Sequence, residues 1–140
     1  MLEGLSIRAG TREDIGPVLD AWARAGASGA LPDTRAALDA LIAWNADALL
    51  VAELDGELVG TLIAAWDGWR GNMYRLAVVP EHQRKGIAAQ LVESARERLY
   101  EQGARRVTAL VREADVHAAG VWSATGYERD EEVARFVRNL

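Results

Sequence analysis

The sequence has 140 residues, of which 50% are hydrophobic and 26% charged, with a formal net charge of -5 and no cysteine. A chain of this length fills one domain and buries roughly two thirds of the surface it exposes when unfolded, so residues 1–140 are expected to form a single domain rather than a disordered or coiled-coil segment. The missing cysteine excludes disulfides, thiolate nucleophiles and Cys-type zinc sites, and the acidic balance argues against nonspecific nucleic-acid binding.

Met1 to Leu5 carry no basic n-region, and no stretch approaches 18 consecutive apolar residues, so neither export nor a membrane span is expected and the location read from the sequence is cytoplasmic. Leu5 to Arg8 alternate apolar and polar side chains as a short strand does. Thr11-Arg12-Glu13-Asp14 then has the form of a helix cap, followed by an apolar stripe of Ile15, Val18, Leu19 and Trp22 that ends in the Gly26–Pro32 segment. A second helix, opened by Asp33 or Thr34, carries Leu38, Leu41, Ile42 and Trp44 on one face; this spacing assigns Trp22 and Trp44 to core packing.

Ala48 to Leu54 and Glu57 to Trp66 are strands joined by Asp55-Gly56, a two-residue hairpin signal. A second turn, residues 67–71, leads into a strand over Asn72 to Val79 that Pro80 stops. From Gly86 to Gln102 the apolar residues Ile87, Leu91, Ala95 and Leu99 recur every four, an amphipathic helix ended by Gly103. Val107 to Val111 reads as a strand, Val116 to Thr125 as a helix closed by Gly126, and Tyr127 to Val137 as one or two further strands.

The order β-α-α-β-β-β-α-β-α-β-β gives a mixed α/β fold, with a strand-helix-strand crossover from Asn72 to Val111. An anion is expected where that strand hands over to the long helix, because the first turn of a helix offers unpaired N–H groups and a positive dipole end. Gly86 there lets an anion approach the backbone, and Arg84 and Lys85 add positive charge, which suits a diphosphate. A basic loop that merely caps the helix is the competing reading, since neither the Walker nor the dinucleotide fingerprint is present.

Taken whole, the segment from Leu76 to Ala88 resembles motif A of the GNAT superfamily, the GCN5-related N-acetyltransferases, whose pattern Gln/Arg-x-x-Gly-x-Gly/Ala is met by Gln83-Arg84-Lys85-Gly86-Ile87-Ala88. Ala118 to Tyr127 resembles the family's later helix with its aromatic pair and Gly-Phe ending, and the hairpin at residues 67–71 is similar to that of small stand-alone bacterial members. The resemblance implies a GNAT-like α+β mixed-sheet acyltransferase fold. It implies acetyl-CoA with its pyrophosphate on the backbone N–H groups of Gln83, Arg84, Lys85, Gly86, Ile87 and Ala88. The pantetheine arm would then lie along Leu76, Ala77 and Val78, with an N–H near Val78 for the oxyanion, and Ala118 and Trp122 would meet the cofactor from the later helix. Two positions depart from the family. Trp122 stands where many members have the tyrosine that protonates the departing sulfur, and Asp115 where an asparagine is common.

The implied activity is direct acetyl transfer to an amine within a ternary complex, the acceptor being a protein N-terminus, a lysine or a small amine, with residues 22–35 and 66–72 shaping its site. A lysine-like amine is neutral in only about one molecule in a few thousand at pH 7, so some group must take its proton. Tyr74, Asp67, Asp115 and a water chain are the candidates, and Trp66 and Trp69 could present aromatic faces to a cationic acceptor. His82 and His117 lack ligand companions, so no metal is expected and both read as surface residues. A non-catalytic acyl-CoA-binding or sensing module, with Trp122 marking an abandoned acid site, is the alternative, and an assembly domain using exposed strands is a further one. Residues 132–138 could pair as a strand within the chain or across a homodimer.

Overall fold

The computed structural model describes residues 2–27 and 33–140. In chain order these form β1 (Leu5–Ala9), α1 (Ile15–Arg24), α2 (Arg35–Trp44), β2 (Leu49–Leu54), β3 (Glu57–Trp66), β4 (Gly71–Val78), α3 (Ile87–Gln102), β5 (Val107–Ala109) and α4 (Val116–Ala124). The strands make one sheet in sequence order, antiparallel throughout except for the parallel pair β4–β5.

Local chemistry explains the element boundaries. Asp55 and Gly56 both take positive φ, 50° and 84°, the type I′ geometry whose twist lets β2 continue directly into β3. Before α1, the Thr11 N–H donates to Asp14 Oδ2 at 2.8 Å, so the acidic cap foreseen in the sequence satisfies an otherwise orphaned donor. Thr34 caps α2 by accepting from the Ala37 N–H at 3.1 Å.

Period-two alternation on β2 divides the core between the sheet's faces. Leu49 and Val51 join Ile15, Val18 and Trp22 of α1 and Leu38 of α2 on one side. Leu50 and Ala52 join Ile87, Leu91, Val92, Ala95 and Leu99 of α3, with Ala118 and Trp122 of α4, on the other. α3 therefore lies across the sheet by the stripe that its sequence spacing announced.

Two expectations are corrected. Trp22 is 1% exposed, as its stripe requires, but Trp44 is 64% exposed: it is the last residue of α2, whose buried residue is Leu38 near the other end. The expected strands between Tyr127 and Val137 do not form; residues 127–140 adopt no regular element, and Phe136 is 94% exposed. A strand needs a neighbouring ladder, and β5 is only three residues long. Residues 28–32, within the expected helix-ending and acceptor-shaping segments, lie outside the described residues. Among the described residues no helix is long and apolar enough to cross a membrane.

Candidate active site

The site begins as a defect in the sheet. Thr61 on β3 pairs with Ala77 while Ile63 pairs with Tyr74, so Arg75 and Leu76 together oppose Leu62. Such a bulge bends its strand and re-aims a side chain. Arg75 absorbs the extra residue at φ 60°, a left-handed conformation that costs a non-glycine residue about 1–2 kcal/mol. A buried relay holds it there: Trp22 Nε1 donates to Thr61 Oγ1 at 2.8 Å, and Thr61 Oγ1 donates to the Arg75 carbonyl at 3.0 Å.

On its other edge β4 pairs with β5 only through Gly71–Val107, Asn72–Thr108 and Met73–Ala109, and the ladder ends with Leu110 N–H donating to the Met73 carbonyl at 3.1 Å. Past that point the strands part, opening a cleft of about 260 Å³. Arg75 to Val78 form one wall and Leu110 to Arg112 the other. Backbone groups alternate between the edges of a strand, and Val79 donates to the Val59 carbonyl at 2.9 Å, so Leu76 and Val78 turn theirs toward the cleft. Gln83 Nε2 donates to the Val78 carbonyl at 3.0 Å, while by the same alternation the Val78 N–H points to the cleft side of the strand.

One end of the cleft is the handover from β4 to α3. A single helical turn, Pro80–His82, leads into a loop in which Arg84 and Gly86 take φ of 62° and 84°. These conformations turn successive N–H groups inward, and those of Arg84 to Ala89 find no acceptor among the described residues. A Cβ on Gly86 would meet nothing within 4 Å, so the cradle is open. Glu81 forms an ion pair with Arg24 and so ties this loop to the end of α1. Lys85 Nζ lies 3.1 Å from His82 Nδ1.

The far wall is α4. Asp115 caps it, Oδ1 accepting from the Ala118 N–H at 2.9 Å. Trp122 is 6% exposed and packs edge-on against Tyr127, with ring centroids 5.0 Å apart.

Of the residues singled out in the sequence, the cleft gathers Leu76, Ala77, Val78, Gln83, Ala88, Asp115, Ala118 and Trp122. Arg84, Lys85 and Gly86 form the adjoining loop, and Ile87 directs its side chain into the core, leaving its N–H to the cradle. Tyr74 does not line the cleft; half-buried, it has its pKa raised chiefly by burial, with the Asp67 carboxylate adding to the effect. Asp67 closes the β3–β4 hairpin by accepting from the N–H groups of Trp69 and Arg70, both at 2.8 Å, and these bonds hold its carboxyl below the ordinary range. Trp66 packs over Gly103 at the opposite end of α3 from the cradle, and Trp69 is exposed with Arg70 stacked on its ring.

Arg75, Arg112 and His117 also line the cleft, and sequence reasoning missed all three. His117 carried one usable signal, its place two residues after the cap of α4. Among the described residues no group of three or more His, Cys, Asp or Glu side chains could hold a metal ion.

Comparison with known proteins agrees with this architecture. A model of the acetyltransferase (GNAT) family matches residues 18–127. A curated acetyltransferase of Pectobacterium atrosepticum is 29% identical over 124 residues, covering 89% of this chain and 88% of its own. Among solved structures, Ard1 from Thermoplasma volcanium superposes with a TM-score of 0.79 at 19% identity, over 88% of this chain and 82% of that one. An aminoglycoside N-acetyltransferase in complex with CoA superposes with a TM-score of 0.74 at 19% identity, over 97% and 95%. With the family model matched across most of its length and the fold shared with these solved structures, the chain belongs to the acetyltransferase (GNAT) family.

Proposed function

We propose that this chain binds acetyl-CoA in the β4–β5 cleft and passes its acetyl group directly to a primary amine in a ternary complex. The observation that carries the reading is the pairing of a strand edge that β5 leaves unpaired, at Leu76 and the Val78 N–H, with an unspent array of N–H groups at Arg84 to Ala89. The first suits the amides of an extended pantetheine arm, by the pairing used in strand addition. The second suits a diphosphate, at a helix N-terminus with Arg84 and Lys85 beside it. Bound acetyl-CoA supplies an activated acyl group on a thiol of pKa about 8.5, which leaves tolerably as thiolate.

In this arrangement the Val78 N–H faces the cleft and is the donor available to a carbonyl oxygen as charge develops on it. Asp115 and His117 are the cleft-lining groups able to receive the proton of an incoming ammonium, Asp115 having one oxygen committed to the helix cap. Tyr74 is not among the residues that line the cleft, which favours these two over it as the base. The indole of Trp122 is far too weak an acid to protonate the departing thiolate. That residue is also what favours the second reading, a module that binds acyl-CoA without turning it over.

The test is Gly86→Glu. The substitution adds about 1 kcal/mol of backbone strain at a positive φ and sets a carboxylate in the anion cradle. The fold should persist, with an unchanged circular-dichroism spectrum, while CoA affinity measured by calorimetry falls at least about tenfold, more than 1.4 kcal/mol. Undiminished affinity would contradict the placement. Thiol release from the unmodified protein across a panel of primary amines separates the enzyme from the binding module.

A further inference from the structure

The bulge that opens the cleft also aims an arginine into it. The Arg75 side chain is 22% exposed, lines the cleft at the end of the wall beyond Leu76, and stacks 5.6 Å above the Trp22 ring. It is held by a single oxygen: Arg75 Nε and Nη2 donate to Asp33 Oδ1 at 2.9 and 2.7 Å. The Asp33 side chain is only 9% exposed, and its Oδ2 is buried without a partner among the described residues. Asp33 is therefore closed to solvent, and its role is to fix the guanidinium.

A guanidinium has two edges that can each grip a planar pair of lone pairs, one made by Nε and Nη2 and the other by Nη1 and Nη2. Asp33 occupies the first. The second meets no acceptor among the described residues, on a residue that lines the cleft. Arg75 stands three residues before Val78, roughly 10 Å along an extended strand and within the length of a small molecule. Of the other polar residues lining the cleft, Arg112, Asp115 and His117 belong to the opposite wall, so Arg75 is the cationic group beside the acyl-bearing strand.

We infer that the free edge of Arg75 binds a carboxylate or amide oxygen of the acceptor, so that the amine acetylated by this protein carries such an oxygen within the same small molecule or residue. The inference rests on the acetyltransferase reading of the cleft and narrows its substrate class. Asp33 is a positioning residue that presents the fork. Because Asp33 already balances the charge of Arg75, recognition comes from the directed pair of hydrogen bonds more than from net attraction.

Two matched sets of acceptors test it, lysine, lysinamide and cadaverine, and leucine, leucinamide and 3-methylbutylamine, assayed by thiol release. The oxygen-bearing members should show kcat/KM at least about tenfold above the bare amines, carried by KM. The acid exceeding the amide identifies a free carboxylate, and the reverse identifies an amide carbonyl; either supports the inference. Arg75→Lys, which keeps the charge and loses the fork, should raise KM for those members about 10- to 100-fold and erase the preference. The double variant Arg75→Gln with Asp33→Asn leaves no unpaired buried charge and should behave alike, which guards against misfolding.

Equal use of all three members, or a preference that survives in both variants, overturns the inference while leaving acetyl transfer intact. If CoA binds but no member releases thiol, thermal shifts of the CoA complex decide. Stabilisation of the unmodified protein by leucine or leucinamide, lost in Arg75→Lys, supports the inference, and its absence overturns it. Failure to bind acetyl-CoA at all is the failure of the broader reading.

Discussion

Trp122 puts two demands on one side chain. It fills the cleft wall and packs edge-on against Tyr127, yet under the proposed function it stands where a proton donor would help the thiol leave. Trp122→Ala should cost about 3–5 kcal/mol of stability as a large buried ring is lost. Trp122→Tyr keeps most of the packing and adds a phenol of pKa about 10. Positioned proton donation is worth about 10²–10⁴-fold in general, and less for a leaving group that needs little help. The expected outcome is a kcat raised about tenfold in single-turnover thiol release, with Tm lowered slightly. A kcat that does not change would show that proton supply does not limit the step. If both the tryptophan and tyrosine proteins bind acetyl-CoA and release no thiol, the binding-module reading replaces the enzyme. Arg75 sits at the same scale and was invisible in the sequence, because its conformation follows from a register shift between two strands and from no preference of arginine itself.

At the level of elements, the segment joining β1 to α1 shows how a short polar sequence fixes a helix. Arg8 donates to both oxygens of Asp14, Nη1 to Oδ2 at 2.7 Å and Nη2 to Oδ1 at 2.9 Å, and Nη2 also reaches Glu53 Oε1 on β2 at 2.9 Å. These bonds from Arg8, assisted by the Thr11 N–H, hold the Asp14 carboxyl below its ordinary value. A depressed carboxyl stabilises the fold above its unfolded pKa of about 4, and that contribution disappears as acid carries the pH down through the folded value. Urea denaturation from pH 6 to pH 2 should therefore show stability falling most steeply below about pH 4. Asp14→Asn should flatten that fall and cost about 1 kcal/mol at neutral pH, a modest figure because Arg8 is partly solvated.

The Thr11–Asp14 cap, the Asp55-Gly56 hairpin and the stripe of α3 were legible because each depends on neighbours in sequence. The two tail strands and the burial of Trp44 were misread for the opposite reason. Alternation around Val133 to Val137 states a preference that only a partner strand can realise, and a stripe cannot reveal where its sheet ends.

On the scale of the whole molecule, helices cover both faces of the sheet, and a chain of net charge -5 sets Arg84 and Lys85 beside the opening turn of α3. The array of unbonded N–H groups there was legible from that turn and its glycine. The cleft was legible only through the family resemblance, since nothing in residues 107–111 says that the ladder stops after three pairs. CoA at about 100 times its Kd should stabilise the native state by about 2.7 kcal/mol. For a domain of this size that raises Tm by roughly 8–13 °C. The gain should shrink as salt rises, because surface charges contribute to the grip, and it should be lost in Gly86→Glu. A shift independent of salt and unchanged in that variant would place the ligand elsewhere.

The early end of the β4–β5 ladder also sets sturdiness against usefulness along one edge. The backbone groups there would find partners if Leu110 to Arg112 continued beside Tyr74 to Leu76, but the ladder ends just before the left-handed turn at Arg75. Selection for heat resistance alone would favour mending the seam. The survivors would be tougher proteins with their catalytic doorway sewn shut.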